Sequence, residues 1–134
     1  MNLRYLLDTN ICIFISKRRP LQVLERFKQL APGEVGMSLV TYGELYYGAQ
    51  KSQQRELALE KLSQLAAYIP VITPEVQTAV QYGTLRASLE RAGTPIGNND
   101  LWIAAHALAL ELILVSNNTS EFKRVQGLVV ENWV

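Results

Sequence analysis

The 134 residues include one cysteine and one histidine. A single thiol, Cys12, excludes an internal disulfide, and no paired Cys and His spacing exists for a structural zinc site. Net charge is nearly absent too: 13 Lys and Arg against 12 Asp and Glu leave +1. Any phosphate binding must therefore come from local patches and not from bulk charge. No apolar run is long enough to span a bilayer, since the longest, Leu101 to Val115, is broken by His106 and Glu111. With no signal peptide to read, the sequons at Asn117 and Asn118 count as incidental, and the cytoplasm is the expected compartment. Repeats, low-complexity segments and linkers are lacking as well.

What is present is an ordinary globular composition, 49% hydrophobic and 19% charged. That suits one domain over residues 1–134, large enough to bury a core without staples. Short apolar runs alternate with amphipathic stretches. Tyr5-Leu6-Leu7 reads as a strand and Ile11 to Ile15 as the helix after it. Pro20 suits the N1 position of a second helix running on to Ala31. Val35 to Val40 is a second strand, and Thr41 then caps a helix containing Glu44. Glu56 to Ala67 is helical, Ile69 to Ile72 a strand, and Pro74 to Ala92 a long helix with two apolar faces. Such a helix is buried or shared with a partner subunit. Gly97, Asn98 and Asn99 introduce a helix from Asn99 to Leu110, followed by a strand at Leu112 to Val115. Glu121 to Arg124 makes a helical turn, and Leu128 to Val134 is a last strand. This alternation predicts an α/β fold, a mostly parallel central sheet with helices on both faces.

Three carboxylates and an amide fall where such a fold gathers chemistry. Asp8 follows the first strand, at the sheet edge where α/β folds bind ligands. It also reads as an N-cap for the next helix. Glu44 lies one turn into the helix after the second strand, and Thr41-Tyr42-Gly43-Glu44 also fits a capping box. At roughly 100° per residue, Asp100 shares a stripe with Ile103, Ala104 and Ala107, the core-facing side of its helix. A carboxylate there needs a partner, a hydrogen bond or a metal, although a first-turn Asp also suits the helix dipole. Asn117 follows a late strand. Acids converging on one edge repel unless a hard divalent cation holds them, and an oxygen-only donor set suits Mg²⁺ or Mn²⁺. His106, about 240° around its helix from Asp100 on the same step, reads as structural, and Cys12 as a small buried residue.

In YLLDTN (Tyr5–Asn10), TYGELYYGA (Thr41–Ala49), the stretch from Ile96 to Asn118 and the final ENWV, the chain resembles PIN-domain nucleases. It is most similar to the VapC-type toxins of bacterial toxin–antitoxin pairs. The resemblance implies Asp8, Glu44 and Asp100 as acidic metal-binding residues. Many PIN domains have a fourth acid after the late strand, and the matching position here is Asn117, with Asn118 and Glu121 close by. It further implies Mg²⁺- or Mn²⁺-assisted hydrolysis of RNA, leaving a 5′-phosphate and a 3′-hydroxyl. The implied substrate is structured RNA, tRNA in the anticodon region and initiator tRNA in particular. A homodimer and a VapB-type antitoxin are implied partners; the antitoxin's C-terminal tail covers the active-site groove and its other end binds operator DNA. Lys17, Arg18, Arg19, Arg86, Arg91, Lys123 and Arg124 are candidate RNA contacts. Tyr46, Tyr47 and Trp102 either stack bases or pack at an interface or in the core. A PIN fold that binds RNA without cutting it is one alternative, which loss of one of the three acids would favour. An Asp-nucleophile phosphatase is another, weakened because Asn10 stands where its second acid belongs. A receiver-like signalling domain expects a Lys after a late strand, where this chain has Asn117 and Asn118.

Overall fold

The computed structural model describes residues 2–134. Strands and helices alternate along them: β1 (Tyr5–Leu7), α1 (Thr9–Lys17), α2 (Leu21–Lys28), β2 (Val35–Ser38), α3 (Leu39–Gln50) and α4 (Arg55–Tyr68). There follow β3 (Val71–Ile72), α5 (Val76–Arg91), α6 (Asn98–Ala109), β4 (Ile113–Val115), α7 (Thr119–Phe122) and β5 (Val130–Glu131). The strands form one sheet in the order β3-β2-β1-β4-β5, with every neighbouring pair parallel.

The two-residue side-chain period of a strand divides the apolar runs between two cores. Tyr5 and Leu7 point to the same side as Val115, where Ile11, Val23, Met37 and Leu62 close over them. Leu6 and Leu114 point to the other side and pack with Leu85, Ile103 and Phe122. Both faces of the sheet are covered, so its strands read as continuous apolar runs without polar alternation. Truncating a fully buried leucine such as Leu6 to alanine removes about 2–5 kcal/mol.

Several boundaries differ from those the sequence suggests. The second strand stops at Ser38, and Leu39-Val40 already belong to α3. Ser38 is extended, and its Oγ accepts the Thr41 backbone N–H at 3.0 Å. The N-cap therefore stands three residues before Thr41, and the Thr41–Glu44 capping box does not form. α2 ends at Lys28 with Pro20 as its N-cap, not at N1. α6 begins one residue early, at Asn98. Only Val130–Glu131 of the expected last strand pairs with the sheet. Beyond it Trp133 turns inward, edge-on to Tyr5 at 5.7 Å, and its indole N–H donates to Glu131 Oε1 at 3.1 Å. That aromatic anchor removes the strand's continuation.

The sheet has β1 at its centre. From it the chain builds outward through β2 and β3, then returns to fill β4 and β5 on the other side. The crevice outside the carboxyl ends of β1 and β4 is a topological switch point, where open α/β sheets bind their ligands.

Candidate active site

Asp8 is the first residue past β1 and stands in that crevice. Its backbone is extended, and its Oδ1 accepts the Ile11 N–H at 3.1 Å, capping α1. Ser116, the buried first residue past β4, hydrogen-bonds the same carboxylate. The cap of α1 and the carboxylate in the crevice are therefore one side chain. The carboxylate is buried, 6% exposed. Burial raises its pKa and the nearby Glu44 charge adds to this, while the Ser116 and Ile11 hydrogen bonds oppose it.

Glu44 lies in the second turn of α3, half-buried. Two other elements hold its two oxygens. Thr9, beside Asp8, donates its hydroxyl to Oε1 at 2.5 Å, and Asn99, beside Asp100, donates Nδ2 to Oε2 at 3.3 Å. Behind Thr9 stand the Thr41 hydroxyl at 3.5 Å and, 3.4 Å beyond that, Ser38.

Asp100, in the first turn of α6, has its pKa pushed up to about 7. Burial is the largest cause, followed by a hydrogen bond to Glu121 and the charges of Glu121, Asp8 and Glu44. Burial alone would raise Glu121 too. Hydrogen bonds from the Gly97 N–H and Asn118 Nδ2, both at 2.9 Å, and from Asp100 instead bring it below the ordinary carboxylate value, with help from Arg124. Asp100 thus carries the proton of this pair and Glu121 the charge. The four acids feel one another across the switch point.

Asn117 is exposed, and its Oδ1 accepts Asn10 Nδ2 at 3.3 Å, joining the start of α1 to the end of β4. The side chain against Asp100 is that of Glu121, which the sequence placed only nearby. The spacing that signals it is Asn118-Thr119-Ser120-Glu121, the N-cap-to-N3 interval of α7, closed here between the two side chains.

The donors are carboxylate and amide oxygens without a soft ligand, which suits a hard divalent cation. Among the described residues, no Lys or Arg forms an ion pair with Asp8, Glu44, Asp100 or Glu121. Nor, among them, does any group of three His, Cys, Asp or Glu side chains stand close enough to form a ready cage. Mg²⁺ needs none, because it keeps several waters and takes one or two carboxylates directly. The charge surplus and the donor set fit such an ion.

From Thr9 and Glu44 a groove of about 480 Å³ runs past Lys17, Gly48 and Lys61. It shares Ser16, Lys61 and Leu65 with a second groove of similar size that carries Arg18 and Lys28. Arg19 and Lys123 are exposed. Arg86 is bound to Glu90 and the Tyr82 hydroxyl, and Arg124 to the Pro95 carbonyl. Trp102 stacks on Tyr82 at 3.8 Å, packing α5 against α6, while Tyr46 and Tyr47 are exposed on α3. Cys12 and His106 are buried, as expected of structural residues, and His106 Nε2 lacks a hydrogen-bond partner. No helix among the described residues is long and apolar enough to cross a membrane.

Residues 5–128 match the PIN domain family. The chain is 46% identical over 132 residues to Ribonuclease VapC2 of Haemophilus influenzae, covering 98% of this chain and 99% of the relative. It is 46% identical over 131 residues to the tRNA(fMet)-specific endonuclease VapC of Shigella flexneri, covering 98% of each. Among solved structures, the DNA-bound VapBC of Salmonella typhimurium superposes with a TM-score of 0.93 at 39% identity, covering 98% of this chain and 99% of that one. A five-stranded parallel sheet with its acids at the switch point, and near end-to-end similarity to these proteins, place the chain in the PIN-domain family, among the VapC-type ribonucleases.

Proposed function

We propose that this protein is the toxin of a toxin–antitoxin pair, a Mg²⁺- or Mn²⁺-dependent endoribonuclease whose substrate is structured RNA, initiator tRNA in particular. The observation that carries this reading is the set of carboxylates at the switch point, Asp8, Glu44, Asp100 and Glu121, mutually close in field and, among the described residues, without an ion pair to any Lys or Arg. Asp8, Asp100 and Glu44 would hold the metal, Asp8 and Asp100 directly, with Glu121 beside Asp100 as the fourth acid. Asn117 serves the site at one remove, through Asn10. A divalent ion held there supplies Lewis acidity toward the phosphoryl oxygen, a more acidic bound water and neutralisation of developing charge. The chain's own residues do the rest. Ser116 and the Ile11 N–H fix the Asp8 carboxylate, and Glu44, held at both oxygens, orients the attacking water. Lys17, Arg18, Arg19 and Lys123 attract the RNA backbone, and binding weakens as salt rises. Arg86 and Arg124 are committed to internal partners and contribute less.

The groove leaving Glu44 suits the C-terminal tail of a VapB-type antitoxin, with basic Lys17 and Lys61 on an apolar floor. The antitoxin's other end carries the pair to operator DNA, in keeping with the DNA-bound VapBC of Salmonella typhimurium. Homodimerisation uses the face of α5 that carries Val76 and Val80, 81% and 51% exposed. The test of substrate is end-mapping: total tRNA incubated with the protein and Mg²⁺ gives 5′-phosphate and 3′-hydroxyl ends in the anticodon region of initiator tRNA. Equal cutting of every tRNA would overturn the initiator assignment, and cyclic-phosphate ends would overturn the hydrolytic mechanism.

A further inference from the structure

Each site Asp has a neighbour whose side chain is turned to Glu44: Thr9, which follows Asp8, and Asn99, which precedes Asp100. The first sits on α1, the second on α6, and Glu44 on α3, so the carboxylate is held from two elements at once. We propose that Asn99 is a positioning residue for RNA hydrolysis, fixing the Glu44 carboxylate by donating Nδ2 to Oε2; this rests on the nuclease reading above.

Three observations carry it. Glu44 has three rotatable bonds and is only half-buried, so packing alone does not select its rotamer. Thr9 holds one oxygen, which still leaves the carboxylate free to turn about the Oε1 contact. A second donor on Oε2, 3.3 Å away, removes that freedom. Asn99 itself is exposed and belongs to neither core cluster. Local helix energetics do not call for Asn there either. Alanine is the better helix former, and a first-turn acid would suit the helix dipole better. An acid at 99 would place a further negative charge against Glu44 and take away its donor. A neutral side chain with an N–H to give meets both requirements.

The test compares wild type with Asn99→Ala, Asn99→Gln and Glu44→Ala, and with the Asn99→Ala/Glu44→Ala pair. The readouts are cleavage kinetics on structured RNA, Mn²⁺ affinity by titration calorimetry, and thermal melting. In Asn99→Ala we expect kcat to fall about tenfold with KM nearly unchanged, and Mn²⁺ binding to weaken several-fold with no loss of melting temperature. Asn99→Gln, which keeps a donor at an exposed site with room to adjust, regains most of the loss. In the Glu44→Ala background, Asn99→Ala leaves Mn²⁺ affinity unchanged, because nothing remains for it to position. A rise in KM at constant kcat would overturn the proposal by making Asn99 an RNA contact. An equal effect with and without Glu44 would overturn it by showing that Asn99 acts elsewhere. If wild type binds no Mn²⁺ and cuts no RNA, it is the nuclease reading that fails; wild-type binding and cutting matched by Asn99→Ala defeats this inference alone.

Discussion

Single residues here carry two duties. Asp8 caps α1 through Oδ1 and still presents a carboxylate to the switch point. Asp100 shares a proton with Glu121 because burial and three neighbouring acids make its ionisation costly. Its folded-state pKa, about 7 against an ordinary 3.8, lies above the unfolded value, so its contribution to stability is present below pH 4 and is lost as pH rises through 7. In EDTA, Asp100→Asn is therefore more stable than wild type at pH 8, and the advantage shrinks at pH 5 and vanishes only below pH 4; chemical denaturation across that range checks this. His106 runs the other way. Burial lowers its pKa below 6.5, so its stability contribution is present above that value and is lost as pH falls. The stability of wild type relative to His106→Gln should fall between pH 7.5 and pH 5, and a constant difference would show that His106 protonates freely in place.

At the scale of elements, the sequence was most legible where burial decides the outcome. Tyr5-Leu6-Leu7 and Ile113-Leu114-Val115 are apolar on both faces, and the strands form there. Boundaries were less legible because they turn on single hydrogen bonds. Both Ser38 and Thr41 are N-cap residues by type, and only the folded chain shows that β2 runs into α3 without a loop. Ser38→Ala should lower stability by about 1 kcal/mol, measurable by urea denaturation. The site followed the same pattern. Asp8, Glu44 and Asp100 are each announced by the end of a strand or the start of a helix. Glu121 is not, because its role comes from the fold-back of α7 onto Gly97, a contact 24 residues away in the chain. The last strand is shorter than its composition suggests for a related reason: Leu128 to Val134 has strand composition, but Arg26 over Trp133 and the Tyr5 edge contact draw its end inward.

For the whole molecule, the switch point collects negative charge while the grooves leading from it carry Lys17, Arg18, Lys28 and Lys61. A polyanion would be attracted along the basic grooves and repelled at the centre unless a cation sat there, so metal and RNA binding should be cooperative. The exposed apolar face of α5 makes a prediction about assembly. Val80→Lys should turn a dimer into a monomer in sedimentation velocity, and a wild-type protein that is monomeric at micromolar concentration would remove α5 from that role. The most direct measurement is cleavage of end-labelled initiator tRNA by the purified protein with Mg²⁺, with Mn²⁺, with EDTA, and by Asp100→Asn purified in parallel. A nuclease built on the switch-point acids cuts with either metal, stops in EDTA and loses about a hundredfold or more of its rate in the variant. Cutting that survives in EDTA, or equally in Asp100→Asn, would contradict it.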